Sequence, residues 1–142
     1  MMRIFNLFVL FTLLSFAPIT AYANVESSEN DYDWTPVMDA IIQVESKGNA
    51  KAVSGKYVGV LQISPILVKE CNNILKTRGS SRRYNLSDRF NEKKSREMFV
   101  VFQSHHNPMN NIEKAIRLWN GGLRYSIAKT QRYFNKVMSY LQ

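Results

Sequence analysis

Glu45 is the residue in this chain best placed to do acid–base chemistry. Met38, Ile41, Ile42 and Glu45 share one face of a 3.6-residue period. The carboxyl therefore projects with an apolar stripe, where its charged form loses hydration and its pKa rises. A carboxyl held protonated near neutral pH is a ready general acid. The partial negative charge at a helix C-terminus pushes in the same direction. The competing reading is a glutamate that ends a helix, fans into solvent and does nothing.

Other chemistry-bearing residues are sparse. His105 and His106 are adjacent, so on a helix their side chains diverge by about 100 degrees. No Cys/His cluster surrounds them, and a zinc site is not expected. "GNAKAVSGKYVG" holds glycines without the order of a phosphate loop. The aromatic-rich end, with Tyr125, Tyr133, Phe134 and Tyr140, reads as core rather than cofactor box. Neither metal nor cofactor is expected.

The elements that must position Glu45 are helices. "TPVMDAIIQVES" opens with Thr35 as N-cap and Pro36 in the first turn, and Gly48 supplies the stop. Its apolar stripe is Val37, Met38, Ile41, Ile42 and Val44. Residues 49–63, punctuated by Gly55 and Gly59, predict a loop with a small hairpin. Ser64-Pro65 repeats the capping signature and starts a second helix running to Arg78-Gly79. "SSRRYNLS" is a polar connection. A third helix follows over "DRFNEKKSREMFVVFQSHH", with apolar residues at 98, 99, 101 and 102. A fourth carries Ile112, Ala115, Ile116 and Trp119 and closes at Gly121-Gly122. The last carries Tyr125, Ala128, Arg132, Tyr133, Val137 and Leu141. The expected architecture is one mainly α domain of about five helices with a small irregular or hairpin segment.

The ends and the charge bound the rest. Residues 1–23 combine Arg3, an apolar run and Ala21-Tyr22-Ala23, the build of a secretory signal peptide. The apolar run falls short of the roughly 20 residues a membrane span needs. Residues 24–33 are polar and acidic and read as a flexible leader, leaving the domain at 34–142. Cys71 is the one cysteine, so no intramolecular disulfide forms and packing must hold the fold. In its apolar-periodic stretch it reads as a small buried hydrophobe. The net charge is +8, or +7 without Arg3, which favours an anionic partner. The cations are dispersed, without the aromatic-interleaved basic block of a nucleic-acid groove. Nucleic acid is not expected as a partner, and wall polymers or lipid headgroups lie where an exported chain goes.

Three motifs in order add to this. Glu45-Ser46 followed by "GNAKAVS", then "GVLQISP", then "AIRLWNGG", resemble the soluble-type lytic transglycosylases, whose domain is lysozyme-like. The resemblance covers about residues 37–125. It implies cleavage of the MurNAc–GlcNAc β-1,4 bond of peptidoglycan by one glutamate. That residue protonates the glycosidic oxygen and then acts as base. The sugar's N-acetyl group and C6 hydroxyl replace a second carboxylate and water, leaving a 1,6-anhydro end. Glu45 matches the acid/base, Ser46 the serine that hydrogen-bonds it, Gln62 a glutamine lining the sugar site, and Asn120 the asparagine of a Tyr-Asn-x-Gly motif. Trp119 stands where that motif has tyrosine, which keeps a flat stacking surface and one donor but loses a hydroxyl.

Two-carboxylate glycosidases need a partner acid about 5–10 Å away. Asp39 lies on another face of the first helix. Asp88, Glu92 and Glu97 fall in charged stretches expected to be exposed, and Asp88 alone stays open as a second acid. The expectation is an exported, monomeric enzyme in the periplasm or envelope acting on glycan strands. A muramidase of the same fold and a weakly active wall-binding module are the alternatives. Family habit adds an envelope-spanning secretion or conjugation apparatus as a candidate partner.

Overall fold

A computed structural model describes residues 31–141. Residues 1–23, read as a signal peptide, and the expected leader up to residue 30 lie outside the described residues. Five α-helices and one two-stranded hairpin form the domain: α1 (Thr35–Glu45), β1 (Val53–Ser54), β2 (Tyr57–Val58), α2 (Pro65–Thr77), α3 (Glu92–His106), α4 (Ile112–Gly121) and α5 (Ile127–Met138). A 3-10 helix, Leu86–Phe90, precedes α3. The mainly α fold with a small hairpin is therefore as the periodicity indicated. Among the described residues no helix is long and apolar enough to cross a membrane.

Local chemistry explains most boundaries. Ser64 caps α2 by accepting from the Leu67 amide at 3.2 Å, with Pro65 at the first helical position. The N-cap of α1 is Trp34, not Thr35; the Thr35 amide instead donates to the Asp33 carboxylate at 2.9 Å. Trp34 is 1% exposed and packs edge-on against Phe99, so burial of its ring sets where the helix begins. The stretch read as one third helix is split. Asn85 and Asp88 form a reciprocal capping box at the 3-10 helix, and Asn91 caps α3.

The helices pack α1 on α5 and α4, α2 on α3, and α4 on α5. Ile41, Leu61, Met98, Phe99, Ile116 and Val137 are fully buried at their centre. Each such side chain contributes about 1.5–3 kcal/mol relative to exposure. On α5 the buried residues are Thr130 and Val137, whereas Ala128 and Arg132, placed on the stripe by spacing, are exposed. Cys71 is 0% exposed, its thiol donating to the Met98 carbonyl at 3.4 Å. Burial pushes that thiol up to about 12.

Arg117 locks α4 to α5. Its guanidinium donates to Glu113 at 2.8 Å, Thr130 Oγ1 at 2.9 Å, the Ile127 carbonyl at 3.1 Å and Gln131 at 2.8 Å, and lies over the Phe134 ring. A cation this buried is tolerated because its donors are used and Glu113 balances its charge.

Gly59 is the most tightly enclosed of the described glycines. Its φ is +79°, and a Cβ there would sit 1.9 Å from the Arg89 carbonyl oxygen. The carbonyl is backbone, and a Cβ is fixed by the backbone that bears it, so neither can swing away. Gly59→Ala should lower unfolding free energy by about 3 kcal/mol or more in urea titration, combining left-handed strain with overpacking. Gly55→Ala, at φ +58° with open space around it, should cost only about 1 kcal/mol.

Candidate active site

Glu45 is the last residue of α1, and it is half-buried. Its carboxylate accepts from the Tyr133 hydroxyl on α5 at 2.7 Å. Burial raises its pKa, and this outweighs the Tyr133 hydrogen bond and the nearby Lys136 cation, which both act to lower it. Burial, with the Glu45 charge and hydrogen bond beside it, pushes the Tyr133 hydroxyl well above the ordinary phenol range, so it stays a donor. The site is thus a desolvated acid held in one orientation by a permanent neutral donor.

Ser46 does not bond Glu45, contrary to what the resemblance implied. Its hydroxyl donates to the Val60 carbonyl at 2.7 Å and accepts from the Gly48 amide at 3.2 Å. It ties the end of α1 to the segment after the hairpin. Gln62 lies in that segment with φ +52°, a left-handed position held by its own side chain. Its Nε2 donates to the Gly59 carbonyl at 2.9 Å and the Ala52 carbonyl at 3.3 Å. Trp119, on α4, donates its indole N–H to the Leu61 carbonyl at 3.1 Å. The donor that sequence left for a ligand is therefore spent inside the protein. Its ring packs on Phe99 and Phe102, with centroids 4.8 and 6.2 Å away.

Gln62, Trp119 and Asn120 line one groove of about 380 Å³. Asn120 is exposed there, and its side-chain amide makes no hydrogen bond to a described residue. Glu70 also lines the groove, beside Phe102. Glu45 is not among its lining residues. It is linked to the groove through Ser46 and the Val60–Gln62 backbone. A larger hollow of about 520 Å³ lies along α1 and α3, lined in part by Asp39, Glu92 and Arg96. Arg96 pairs with both carboxylates, at 2.7 and 2.8 Å, so the guanidinium of this hollow is already engaged and the trio keeps one net negative charge.

Asp88 is not the exposed acid expected from its charged neighbourhood. It is 7% exposed, and its carboxylate accepts from the Asn85 amide at 2.9 Å and pairs with Lys94 at 2.8 Å. The Lys94 hydrogen bond, with help from the Asn85 backbone, holds it below the usual carboxylate range. It is a structural cap. His106 is likewise not simply solvated, because its Nε2 lies 2.8 Å from Glu70. Among the described residues no group of three or more His, Cys, Asp or Glu side chains could hold a metal ion.

Tyr133 and Lys136 are the site residues that sequence reasoning missed. Tyr133 was counted with the apolar stripe of the last helix. Its partner lies 88 residues away, and no local pattern announces it. The one usable signal was a hydroxyl-bearing ring at an inward position, which when buried needs an acceptor.

The raised pKa has a stability consequence. An acid whose folded pKa lies above its unfolded value favours folding most when protonated, and that advantage is lost as pH rises through the folded value. Glu45→Gln keeps an acceptor for Tyr133 and removes the desolvated charge. It should stabilise the protein by about 1 kcal/mol at pH 7. Urea titrations at pH 7 and pH 3.5 should show that gain disappearing at the lower pH. Comparison of the chain with protein-family models, characterised proteins and solved structures finds no match.

Proposed function

We propose that this is an exported peptidoglycan-cleaving enzyme, a lytic transglycosylase with Glu45 as its acid and base. The observation that carries the reading is the desolvated, protonation-prone Glu45 carboxyl fixed by Tyr133. It ends a helix tied by Ser46 to the segment that also bears Gln62. The protonated carboxyl gives its proton to the bridging oxygen as the C1–O bond breaks. The sugar's own N-acetyl group steadies the cationic carbon. The C6 hydroxyl then attacks C1 and returns its proton to the carboxylate, closing the 1,6-anhydro ring and regenerating the acid. The groove formed by Gln62, Trp119 and Asn120 suits a glycan strand, offering an indole surface and a free amide. The net charge, +7 once Arg3 leaves with the signal segment, draws the exported chain toward the anionic wall.

A wall-binding module of low turnover is the second reading. It is favoured by one observation, that Glu45 does not line the groove holding Gln62, Trp119 and Asn120. Digestion of purified sacculi separates the two. On the enzymatic reading, the wild type releases anhydro-ended muropeptides, visible by mass spectrometry, and Glu45→Gln lowers the rate by about 10²–10⁴-fold. Equal release by the variant would refute that reading. Sacculus retention with no product would favour the binding module, and reducing-ended products would indicate a muramidase.

The pH profile supplies a second check. Activity through the protonated acid falls as pH rises past the raised Glu45 pKa. Tyr133→Phe removes a donor that stabilises the carboxylate, so the alkaline limb of kcat/KM should move to higher pH. A shift to lower pH would contradict this role for Tyr133.

A further inference from the structure

The groove differs in charge from the rest of the molecule. The chain carries 19 Lys and Arg against 11 Asp and Glu. Yet no lysine or arginine is among the described residues lining the groove, and Glu70 is its one charged side chain. Glu70 lies on α2 and is positioned from α3, where His106 Nε2 meets its Oε1 at 2.8 Å. Its other oxygen takes no hydrogen bond from a described residue. The aromatic path gives its place. Trp119 packs on Phe99 and Phe102 of α3, with centroids 4.8 and 6.2 Å away, whereas His106, one turn further along α3, packs on Phe102 at 4.7 Å. Glu70 is therefore anchored one turn of α3 past Phe102.

The walls there are apolar and open. Ile66, one turn before Glu70 on α2, is 70% exposed, Leu123 is 57% exposed and Tyr57 is 44% exposed, and all three line the groove. Exposed apolar side chains converging on one groove mark a binding surface rather than scattered surface residues. Methylene groups suit such walls better than a hydroxyl-studded sugar does. A carboxylate with one oxygen free accepts only, so it calls for a donor, and a cationic donor gives the stronger bond.

We propose that the Glu70 end of the groove binds a primary ammonium carried on an aliphatic arm, namely the diamino-acid side chain of the wall's stem peptide. The source of that amine rests on the peptidoglycan reading above; the preference for an ammonium does not. Glu70 and His106 then form a specificity site for the peptide, beside the glycan-facing Trp119 and Asn120.

Equilibrium binding tests this apart from cleavage. The full chain carrying Glu45→Gln is titrated with a lysine-containing stem tetrapeptide and with the same peptide acetylated on its side-chain amine. Binding is followed by calorimetry or amide shifts. The expected result is about fivefold weaker binding of the acetylated peptide, the scale of a partly exposed charge pair. Adding Glu70→Gln should make the two peptides bind alike. Equal affinity of both peptides for the chain with Glu70 intact would overturn the proposal, and so would failure of the unmodified peptide to bind. The acetylation arm leaves Glu70 and His106 unaltered, so the outcome does not hang on the fold of the Glu70 variant. Discrimination between the peptides in a protein that fails to cleave sacculi would sink the catalytic reading and leave this one standing.

Discussion

The segment from Gly59 to Ile63 has little regular structure of its own, so its buried backbone must find partners elsewhere. It finds them in its own Gln62 and in side chains from the end of α1, the 3-10 helix and α4. Gln62 folds back on the Gly59 carbonyl, Ser46 takes the Val60 carbonyl, Trp119 takes the Leu61 carbonyl and Arg89 takes the Ile63 carbonyl. Val60, Leu61 and Ile63 meanwhile bury their side chains almost completely. The end of α1, the 3-10 helix and α4 are thus fastened to one short stretch of chain. Glu45 is oriented by that attachment on one side and by Tyr133 on the other.

This arrangement explains why the residues that look most ligand-like are partly committed to structure. Ser46 and Trp119 both spend their donors on backbone carbonyls, and Gln62 spends its amide N–H groups the same way. What remains open to a ligand is the indole face, the Gln62 carbonyl oxygen, the Asn120 amide and the free oxygen of Glu70. A site assembled this way is held by its own hydrogen bonds before any ligand arrives, which reduces the ordering entropy that binding must overcome.

Local signals read well from the sequence, and distant ones did not. The stripe of α1 put Glu45 at the inward end of its helix, and Ser64-Pro65 marked the start of α2, because each depends on neighbours within a turn or two. Thr35 was misplaced as a cap because burial of the Trp34 ring decided the boundary. Asp88 looked exposed because its neighbours are charged, whereas its geometry is set by a capping box and Lys94. Tyr133 with Glu45, and His106 with Glu70, join helices far apart in the chain. A hydroxyl or an imidazole on a mixed helix face does not say which acid it will meet. The Trp119 indole kept its donor, as residue chemistry required, but only the fold could show where that donor points.

Cys71 carries a consequence for redox chemistry. Burial holds its thiol up at about 12, so the thiolate is scarce at neutral pH. Disulfide exchange and sulfenic-acid formation both begin from that anion, and the sulfur is also walled off by α3. An oxidising compartment therefore has nothing to attack while the domain stays closed, and the single cysteine does not cross-link neighbouring copies. Only a breach between α2 and α3 would expose it, so the rate at which an alkylating reagent finds the sulfur measures how often those two helices part.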